Sequence, residues 1–215
     1  MNERENKREN ERGNSPGFPY IAEHIFAPIY PIIAANILEK SGIKGRICLD
    51  LGCGLASLGI AVAELTEMQI YGIDLSREMC QLSRDKAHRH ALSAKVAPLQ
   101  ADVHRLPFKD NCADLIVSRG SVFFWKGLPL AFHEVARVLS PGGQAWIGGG
   151  FGTKELKKQI SEKMASIDPQ WSEDSKKRLS PENFRAIQAA GKKTGIPCNI
   201  IRDDSGFWMV LRKEG

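Results

Sequence analysis

The sequence predicts an α/β fold with a doubly wound sheet of about seven strands, mostly parallel and with a reversed last strand. Three observations support this. Short apolar segments alternate with helical patterns from residue 46 onward, a glycine-rich turn ("DLGCGLASLG", 50–59) follows the first of them, and two final apolar segments are joined by three polar residues. Strands alternating with helices are typical of a parallel sheet covered on both faces. Two strands joined by so short a turn form an antiparallel hairpin.

Length and composition are those of an ordinary α/β domain. The 215 residues suit one domain with a small N-terminal appendage, and 42% hydrophobic beside 26% charged residues is enough to bury a core. No apolar run reaches the length that crosses a bilayer, so we expect no membrane span. The charged N-terminus lacks the apolar core of a signal peptide, which makes a cytoplasmic location the expectation.

Charge and cysteine content argue against two further kinds of site. The net charge of +5 is too small, and the lysines and arginines too dispersed, to favour nucleic acid as a partner. The five cysteines are scattered, and none forms a C-x-x-C pair. We therefore expect neither a metal site nor a disulfide framework.

Composition divides the chain into three segments. Residues 1–13 alternate charged and amide side chains, which predicts a disordered tail. Residues 14–44 are apolar and aromatic with four prolines, which predicts short helical pieces that end near Gly42 and form an N-terminal cap. This cap either packs against the sheet or forms a lid over a site. Residues 45–215 are the main domain.

Each element of the main domain follows from a local pattern. Short apolar runs between turn residues predict strands at 46–52, 69–75, 95–103, 113–120, 144–150, 198–202 and 206–212. Helical periodicity predicts helices at 57–66, 76–91, 128–139, 153–168 and 180–195. Thr153 and Ser180 are the expected N-caps of the last two helices, and Pro181 suits the first helical position.

The glycine turn is compatible with two classes of bound nucleotide. Dehydrogenases that bind a dinucleotide use G-x-G-x-x-G, and here Ser57 occupies the place of the third glycine. Asp50, two residues before Gly52, is unfavourable beside a pyrophosphate because a helix N-terminus is arranged to attract anions. It suits the ammonium group of an amino acid instead. Asp74, 20 residues after Gly54, is expected in both classes.

Asp102 separates the two classes, because an acceptor after the third strand can bind the exocyclic amine of an adenine. Four ordered motifs then complete a pattern: Asp50/Gly52/Gly54, Asp74/Ser76/Met79, Asp102/Leu106/Pro107/Phe108, and Arg137-Val138-Leu139 with Pro141-Gly142-Gly143. Over about residues 45–150 the chain resembles the class I S-adenosylmethionine-dependent methyltransferases, in particular the small ubiquinone/menaquinone-biosynthesis-like (type 11) branch. The resemblance implies a Rossmann-like fold and S-adenosyl-L-methionine as cofactor, with S-adenosyl-L-homocysteine as product.

The resemblance also implies which residues bind the cofactor. Asp50 and the Gly52 backbone would hold the methionine amine, and Gly54 would allow close approach of the backbone. Asp74 would bind the ribose. Asp102 and Val103 would bind the adenine edge, while Met79 either packs on the adenine ring or only fills the core. The full expected set is Asp50, Gly52, Cys53, Gly54, Asp74, Leu75, Met79, Asp102, Val103, Ser118 and Arg119.

Motifs for the methyl acceptor are expected after the fourth strand. The N-P-P-Y tetrad of DNA amine methyltransferases is absent after Val117, and Pro197-Cys198 lies too far downstream to be a cytosine-methyltransferase nucleophile. A small-molecule methyl acceptor is therefore the expected partner. The alternatives are an RNA or protein methyltransferase, which would need a basic face, and a cofactor-binding module without catalysis.

Candidates for catalysis and for an acceptor pocket lie near this strand end, in the loop after the third strand and in the N-terminal segment. Arg119 either pairs with an anionic group of the substrate or cofactor, or makes a structural hydrogen bond. His104 is the candidate general base if the acceptor arrives protonated, and is otherwise structural. The expected pocket residues are Tyr20, Tyr30, Ser121, Phe123 and Phe151, the last of which follows the glycines of "IGGGFG" at 147–152.

Overall fold

The computed structural model describes residues 17–215 as one seven-stranded sheet with helices on both faces. The charged segment 1–13 lies outside the described residues. The strands are β1 Ile47–Leu51, β2 Gln69–Asp74, β3 Val96–Gln100, β4 Ala113–Arg119, β5 Leu139–Gly148, β6 Cys198–Asp203 and β7 Gly206–Arg212. The helices are α1 Phe18–Tyr20, which continues as a π-helical turn Ile21–Ile25, then α2 Ile29–Ser41, α3 Ser57–Leu65, α4 Arg77–Arg89, α5 Leu128–Val138, α6 Lys154–Ile167, α7 Trp171–Arg178 and α8 Pro181–Lys192.

The strand order is β3-β2-β1-β4-β5-β7-β6, and neighbouring strands from β3 to β5 are parallel. Strand β7 runs antiparallel to both β5 and β6. The prediction of a doubly wound, mostly parallel sheet of Rossmann-like type with a reversed last strand is therefore confirmed. Strand β1 is paired on both sides, with Asp50 opposite Gly72 of β2 and Val117 of β4.

Different helices cover the two faces of the sheet, because consecutive strand residues point to opposite faces. Cys48 is buried together with Ile33 of α2 and Ile60 of α3. Leu49 is buried on the other face with residues of α5 and α8, among them Phe132. Whether a residue is odd or even along a strand therefore decides which layer of the molecule its side chain joins.

The predicted helix ends are confirmed. Helix α2 ends at Gly42, whose φ of 64° lies in the left-handed region that favours glycine. The Thr153 hydroxyl accepts the Leu156 N–H at 3.1 Å, and the Ser180 hydroxyl accepts the Asn183 N–H at 3.3 Å. Both side chains satisfy N–H groups that a helix start leaves without an intrahelical partner.

Three features differ from the sequence-based prediction. Strand β3 ends at Gln100 rather than 103, because the Asp102 carboxylate accepts the His104 N–H and bends the chain. Strand β5 begins at Leu139 rather than 144, because Leu139 already pairs with β4 before a bulge. Helix α7 is missing from the prediction because its sequence, WSEDSKKR, has almost no apolar periodicity. Acidic residues in its first turn and basic residues in its last turn complement the helix dipole.

Within residues 17–215 no single helix has the length and apolar composition to cross a membrane. The helices Phe18–Ile25 and Ile29–Ser41 meet that requirement only when taken together, as a pair bent by 71°.

Candidate functional site

The predicted cofactor residues lie along the carboxyl ends of β1, β2 and β4 and in the loop after β3. Ligands of open α/β sheets bind at this edge, at the point where the order of the strands reverses. Here the reversal falls between β1 and β4, since β2 and β3 lie on one side of β1, and β4 and β5 lie on the other. The loops that leave these strands therefore face one crevice.

The turn after β1 requires glycine for two physical reasons. Gly52 and Gly54 have φ values of 62° and 53°, in the region that other residues rarely adopt. A Cβ atom on Gly52 would lie 2.3 Å from the Cβ of Ser121, and one on Gly54 would lie 2.8 Å from the ring of Phe18. The turn therefore brings bare backbone to the crevice, and the ring of Phe18 rests on it.

Asp74 holds the glycine turn from the end of β2. Its Oδ2 atom accepts the Gly54 N–H at 2.8 Å, and its Oδ1 atom accepts the Ser76 N–H at 2.9 Å. The Ser83 hydroxyl of α4 donates to the Gly54 carbonyl at 2.7 Å. Each carboxylate oxygen can accept a further hydrogen bond, which leaves capacity for the hydroxyls of a ligand.

Asp50 is buried beneath the first turn of α3. Its side chain belongs to a residue that is 2% exposed, and its Oδ2 atom accepts the Gly59 N–H at 2.9 Å. Burial raises the pKa of Asp50 to about 7, while the Gly59 N–H lowers it and the charge of Asp74 raises it further. A carboxyl group with this pKa ionises readily when a cation approaches.

Asp102 and His104 form a compact turn after β3. The Oδ1 atom of Asp102 accepts the His104 N–H at 2.9 Å and lies 2.5 Å from Nδ1 of the His104 ring. The other ring nitrogen, Nε2, contacts the Lys126 carbonyl. The backbone N–H of His104, followed by its ring, holds the pKa of Asp102 below its usual range. Both ring nitrogens of His104 therefore face oxygen acceptors.

Helix α5 fixes the loop that carries Asp102. Glu134 accepts the Leu106 N–H at 2.8 Å, and Arg137 donates to the carbonyls of Leu106 and Phe108 at 3.1 and 2.8 Å. Arg137 is itself paired with Glu134 at 2.7 Å. The motif residue Arg137 thus acts on the site through the position of this loop.

The side chains of consecutive residues at the end of β4 lie on opposite faces of the sheet. The Ser118 hydroxyl lies 2.6 Å from that of Ser121, which donates to the Leu51 carbonyl at 2.9 Å. These two serines brace the end of β1, where the glycine turn begins. Arg119 extends to the other face, and its Nε atom donates to the Gly150 carbonyl at 3.2 Å.

Aromatic rings surround the guanidinium of Arg119, and we call Phe26, Tyr30, Arg119, Phe151 and Trp171 the arginine cluster. The guanidinium carbon lies 4.5 Å from the ring centre of Phe26, 5.1 Å from that of Phe151 and 6.0 Å from that of Tyr30. These distances are typical of cation–π contacts. Trp171 packs on both phenylalanines, with 6.4 Å between ring centres in each pair.

The arginine cluster holds positive charge without a carboxylate. No acidic side chain of residues 17–215 forms an ion pair with Arg119. Burial lowers the pKa of the guanidinium, Tyr30 raises it, and the charge of Arg178 lowers it again. Burial is also the main reason why the pKa of Tyr30 is raised. A partly buried cation in this setting suits an anionic group of a ligand.

The predicted acceptor residues divide among different places. Tyr30 and Phe151 lie in the arginine cluster, where both are buried. Ser121 braces the glycine turn, and Phe123 packs at 5.9 Å against an aromatic ring of β7. Tyr20 is half exposed, and its ring lies 4.5 Å from a histidine ring of the π-helical turn.

The remaining cofactor candidates flank the glycine turn. The Cys53 N–H donates to the Ile73 carbonyl at 3.0 Å, which ties the turn to β2. Leu75 is 69% exposed directly after Asp74. Met79 is partly exposed in the first turn of α4, and Val103 is partly buried against the core residues around α5.

Sequence reasoning missed the roles of three aromatic residues: Phe18 over Gly54, and Phe26 and Trp171 in the arginine cluster. The aromatic content of segment 14–44 was the available signal for Phe18 and Phe26. Trp171 gave no such signal, because it lies on the polar helix α7, and its partners are distant in sequence.

These features fit an adenosine joined to an amino acid. Bare backbone at Gly52 and Gly54 permits close approach, and the carboxylates of Asp74 and Asp102 offer acceptors at the ends of β2 and β3. The buried carboxyl of Asp50 is available as a counter-charge beside the first turn of α3. The residues present therefore suit S-adenosyl-L-methionine.

Comparison with known proteins gives the same assignment. Residues 49–147 match the family model of a methyltransferase domain of type 11. A protein from Methanococcus maripaludis, described as an S-adenosyl-L-methionine-dependent methyltransferase, has a crystal structure that superposes with a TM-score of 0.87. It is 42% identical in sequence, over 91% of this chain and 90% of its own. The chain belongs to the S-adenosyl-L-methionine-dependent methyltransferases. The predicted class I, type 11 assignment and the predicted cofactor are confirmed.

Curated relatives match about half of this methyltransferase. The 2-phytyl-1,4-naphtoquinone methyltransferase of Nostoc punctiforme is 30% identical over 106 residues, 48% of this chain and 46% of its own. The biotin biosynthesis bifunctional protein of Saccharophagus degradans is 37% identical over 112 residues, 52% of this chain and 20% of its own. The chain thus spans less than half the length of these curated relatives.

The methyltransferase also shares its fold with a protein named for another reaction. A [4+2]-cyclase superposes with a TM-score of 0.61 at 20% identity, over 86% of this chain. At this identity the likeness concerns the fold alone. The acceptor therefore has to be argued from the residues of the site.

Proposed function

We propose that this methyltransferase transfers the methyl group of S-adenosyl-L-methionine to a small molecule by in-line displacement. The proposal depends mainly on one observation, that the glycine turn and the arginine cluster lie at the same end of the sheet but use different residues. When bound, the cofactor supplies a methyl group on a sulfonium, whose displacement needs orientation and exclusion of water rather than a catalytic triad.

On the cofactor side, carboxylates and exposed backbone bind different parts of the cofactor. Asp74 accepts from the ribose hydroxyls with the lone pairs that its bonds to Gly54 and Ser76 leave available. Asp102 and Val103 meet the adenine edge. Asp50 and the backbone of Gly52 hold the amine, and Cys53, Leu75, Met79 and Ser118 complete the lining.

On the acceptor side, the arginine cluster orients the substrate. Arg119 meets an anionic group of the acceptor, and Tyr30 and Phe151 exclude water around it. Ser121, Phe123 and Tyr20 lie outside the arginine cluster, against the end of β1, against β7 and against the π-helical turn respectively. His104 positions Asp102 through contacts at both ring nitrogens, and it acts as a base only if its ring leaves the Lys126 carbonyl.

Segment 14–44 acts as a cap over both halves of the crevice. The ring of Phe18 rests on Gly54, while Phe26 and Tyr30 belong to the arginine cluster. One N-terminal segment therefore contacts the cofactor side and the acceptor side, which suits a cap that closes when both ligands are bound.

The names of curated relatives support a small-molecule acceptor. Besides the naphtoquinone methyltransferase, they include a phosphoethanolamine N-methyltransferase of Arabidopsis thaliana, 32% identical over 113 residues, and a sterol 24-C-methyltransferase of Gibberella zeae, 29% identical over 111 residues. These names refer to small molecules methylated at different atoms, so they support the class of acceptor and leave the atom open. A cytoplasmic location stays a prediction.

Two experiments test the proposal. The first is a radiolabelled-methyl screen of a cell extract, separated into small-molecule, RNA and protein fractions, with label expected in the small-molecule fraction. Label in RNA or protein would favour the alternative substrates. Binding of the cofactor without any transfer would favour a non-catalytic module or a reaction of another kind.

The second experiment tests the cofactor residues by calorimetry with S-adenosylhomocysteine. We expect Asp74→Ala and Asp102→Ala each to weaken binding by about 1–3 kcal/mol, since each removes a hydrogen bond to a charged group. Full affinity in both variants would refute the assignment of these carboxylates. Asp85→Ala, on the exposed face of α4, is the matched control and should bind as the wild type does.

A further inference from the structure

A cavity of about 450 Å³ lies on the outer side of α3, apart from the crevice at the strand ends. The π-helical turn and the start of α2 form one wall, and α3 and the last turns of α4 form the other. None of the predicted cofactor residues lines it. Its volume lies within the range of small-molecule sites, and we call it the outer cavity.

The floor of the outer cavity carries a buried ammonium group. Lys86 is 9% exposed, and its Nζ atom donates to the Ser57 hydroxyl at 2.7 Å. No carboxylate of residues 17–215 forms an ion pair with Lys86, and the Ser57 hydroxyl is the one hydrogen-bond acceptor it contacts in that range. An ammonium has three donors, so two remain available to a ligand.

The acidic side chains around the outer cavity each contact another side chain at the rim. Glu23 pairs with Arg89 at 2.5 Å, and Glu64 pairs with the His90 ring at 2.9 Å. These pairs lie at the rim, where the side chains are partly exposed. Burial lowers the pKa of the Lys86 ammonium, while the charges of Glu23 and Glu64 raise it from a distance. Neither carboxylate contacts the Nζ atom, so a ligand anion could still form the direct ionic contact that desolvation makes valuable.

Ser57 explains how the ammonium is held in this position. It occupies the place where a dinucleotide-binding turn has its third glycine, and a glycine there could not accept from Lys86. Tyr30 also lines the cavity and adds a second hydroxyl to its lining. Two hydroxyls thus accompany the ammonium at the floor.

The rest of the lining offers an apolar surface. Ala27 and Pro31 lie on the side of the cap, and Ile60 and Ala61 lie on α3. An ammonium with two hydroxyls at one end and aliphatic walls along the sides match a ligand with one charged head and an apolar body.

We propose that the outer cavity is a second ligand site of this protein, for a small molecule that carries one oxyanion, a carboxylate or a phosphate monoester, on a compact apolar body. Lys86 binds the oxyanion with the Ser57 and Tyr30 hydroxyls beside it, and the aliphatic walls cover the body. The site shares none of the predicted cofactor residues, and Tyr30 is the one residue that it shares with the arginine cluster.

Ligand-observed NMR titration of the full chain tests this site with three probes. The probes are 4-phenylbutyrate, phenyl phosphate and the uncharged 4-phenyl-1-butanol. We expect at least one anionic probe to bind with a Kd below about 1 mM and about tenfold more tightly than the alcohol, since only the anions pair with the ammonium. The two anionic probes show whether a carboxylate or a phosphate is preferred.

Variants then locate the binding. Lys86→Met should weaken the anionic probe about tenfold, while Lys158→Met, which removes the same charge from the exposed face of α6, should leave it unchanged. Ala27→Phe fills the cavity from the partly exposed cap, keeps Lys86, and should also abolish binding. Saturating S-adenosylhomocysteine should not displace the probe.

Three results would each overturn the proposal: equal affinity for anions and alcohol, full affinity in Lys86→Met, or displacement by S-adenosylhomocysteine. If Lys86→Met fails to fold, judged by its thermal unfolding, Ala27→Phe and the alcohol comparison still decide the question.

Discussion

The cofactor edge and the arginine cluster lie at the same end of the sheet, but they are built over different distances along the chain. We use "cofactor edge" for Asp50, Gly52, Gly54 and Asp74. Its bonds are local: Asp50 to Gly59 spans nine residues, and Asp74 to Gly54 spans 20. The arginine cluster instead joins Phe26 of the cap, Arg119 of β4 and Trp171 of α7.

The two regions also differ in what holds them together. The cofactor edge is fixed by hydrogen bonds to backbone and by left-handed glycines, which tolerate few substitutions. The arginine cluster is held by ring packing and cation–π contacts, which other side chains can supply in other arrangements. This difference suits a site in which the methyl donor is constant and the acceptor is specific to the protein.

Gly54→Val tests the cofactor edge and should have the largest effect on binding. Its φ of 53° is unfavourable for valine, and the new Cβ would lie 2.8 Å from the Phe18 ring. We expect affinity for S-adenosylhomocysteine, measured by calorimetry, to fall at least about 100-fold, which corresponds to about 2.7 kcal/mol.

Gly42→Val is the matched control for backbone strain. Its φ is 64°, but no atom lies within 4 Å of the position that a Cβ would occupy. We expect it to lose about 1–2 kcal/mol of stability, from the backbone conformation alone, and to keep its affinity for the cofactor product. Equal loss of affinity in both variants would show that strain, rather than close approach, controls binding.

Arg119→Met tests whether the arginine cluster is separate from the cofactor edge. The variant keeps an apolar side chain among the rings and removes the charge. If Arg119 binds the acceptor, methyl transfer into the small-molecule fraction should fall about 10–100-fold, from loss of a charge-assisted hydrogen bond. Affinity for S-adenosylhomocysteine should stay within about threefold.

A different result for Arg119→Met would place Arg119 with the cofactor edge. A loss of affinity for S-adenosylhomocysteine, with no loss for 5′-methylthioadenosine, which lacks the amino-acid carboxylate, would assign the guanidinium to the cofactor. Arg119→Lys keeps the charge but not the planar donor set, so partial recovery of transfer would show that charge contributes on its own.

These differences explain how much of the molecule could be predicted from sequence. The sheet, its reversed last strand and the caps at Thr153 and Ser180 follow from local periodicity and turn chemistry, and the structure confirms them. Asp50, Gly54 and Asp74 were identifiable because a turn and the strands beside it impose fixed spacings on the chain.

The arginine cluster was only partly predictable, because its members meet through tertiary packing. Arg119 and Phe151 are candidates from their positions near strand ends, and Tyr30 is a candidate from the aromatic N-terminal segment, but nothing local indicates that Trp171 joins them. Lys86 was also hidden: it lies on a highly charged helix, and its contact with Ser57 joins residues 29 positions apart. Periodicity reports which face of an element is buried, and it does not report which elements meet.

Asp50→Asn tests the electrostatics of the cofactor edge through the pH dependence of stability. Burial raises the pKa of Asp50 to about 7 in the folded protein, above the value of about 4 for an unfolded chain. The folded state therefore holds the proton more strongly, so the contribution to stability is complete below pH ~4 and is lost as pH rises through about 7. Urea unfolding at pH 5 and at pH 8 measures this effect. Between these pH values the free energy of unfolding should fall less in Asp50→Asn than in the wild type, by an amount on the order of a few kcal/mol.

The same variant also tests ligand binding, whose expected pH dependence has the opposite sign to that of stability. If Asp50 faces the amine of the cofactor, binding of S-adenosylhomocysteine by the wild type should strengthen from pH 6 to pH 8, as the carboxylate forms. Asp50→Asn should lack this trend. Parallel pH profiles in the two proteins would show that Asp50 does not face the amine. The hydrogen bond from the Gly59 N–H to Asp50 would not be called into question by that result.

His104→Gln should have the smallest effect, and it tests whether the loop after β3 serves binding or chemistry. Because Nδ1 faces Asp102 and Nε2 faces the Lys126 carbonyl, the ring joins two loop segments. Glutamine can donate to one of these oxygens, so we expect affinity for S-adenosylhomocysteine to change by less than about threefold and the rate of methyl transfer to follow it. Asp102→Ala provides the comparison, because it removes the acceptor itself.

A loss of about 100-fold or more in kcat for His104→Gln, with affinity unchanged and with the acidic limb of the pH–rate profile gone, would instead make His104 the general base. The acceptor would then reach the site with a proton on its reacting atom. Acceptors whose reacting atom already has a free lone pair need no base, and they would be excluded.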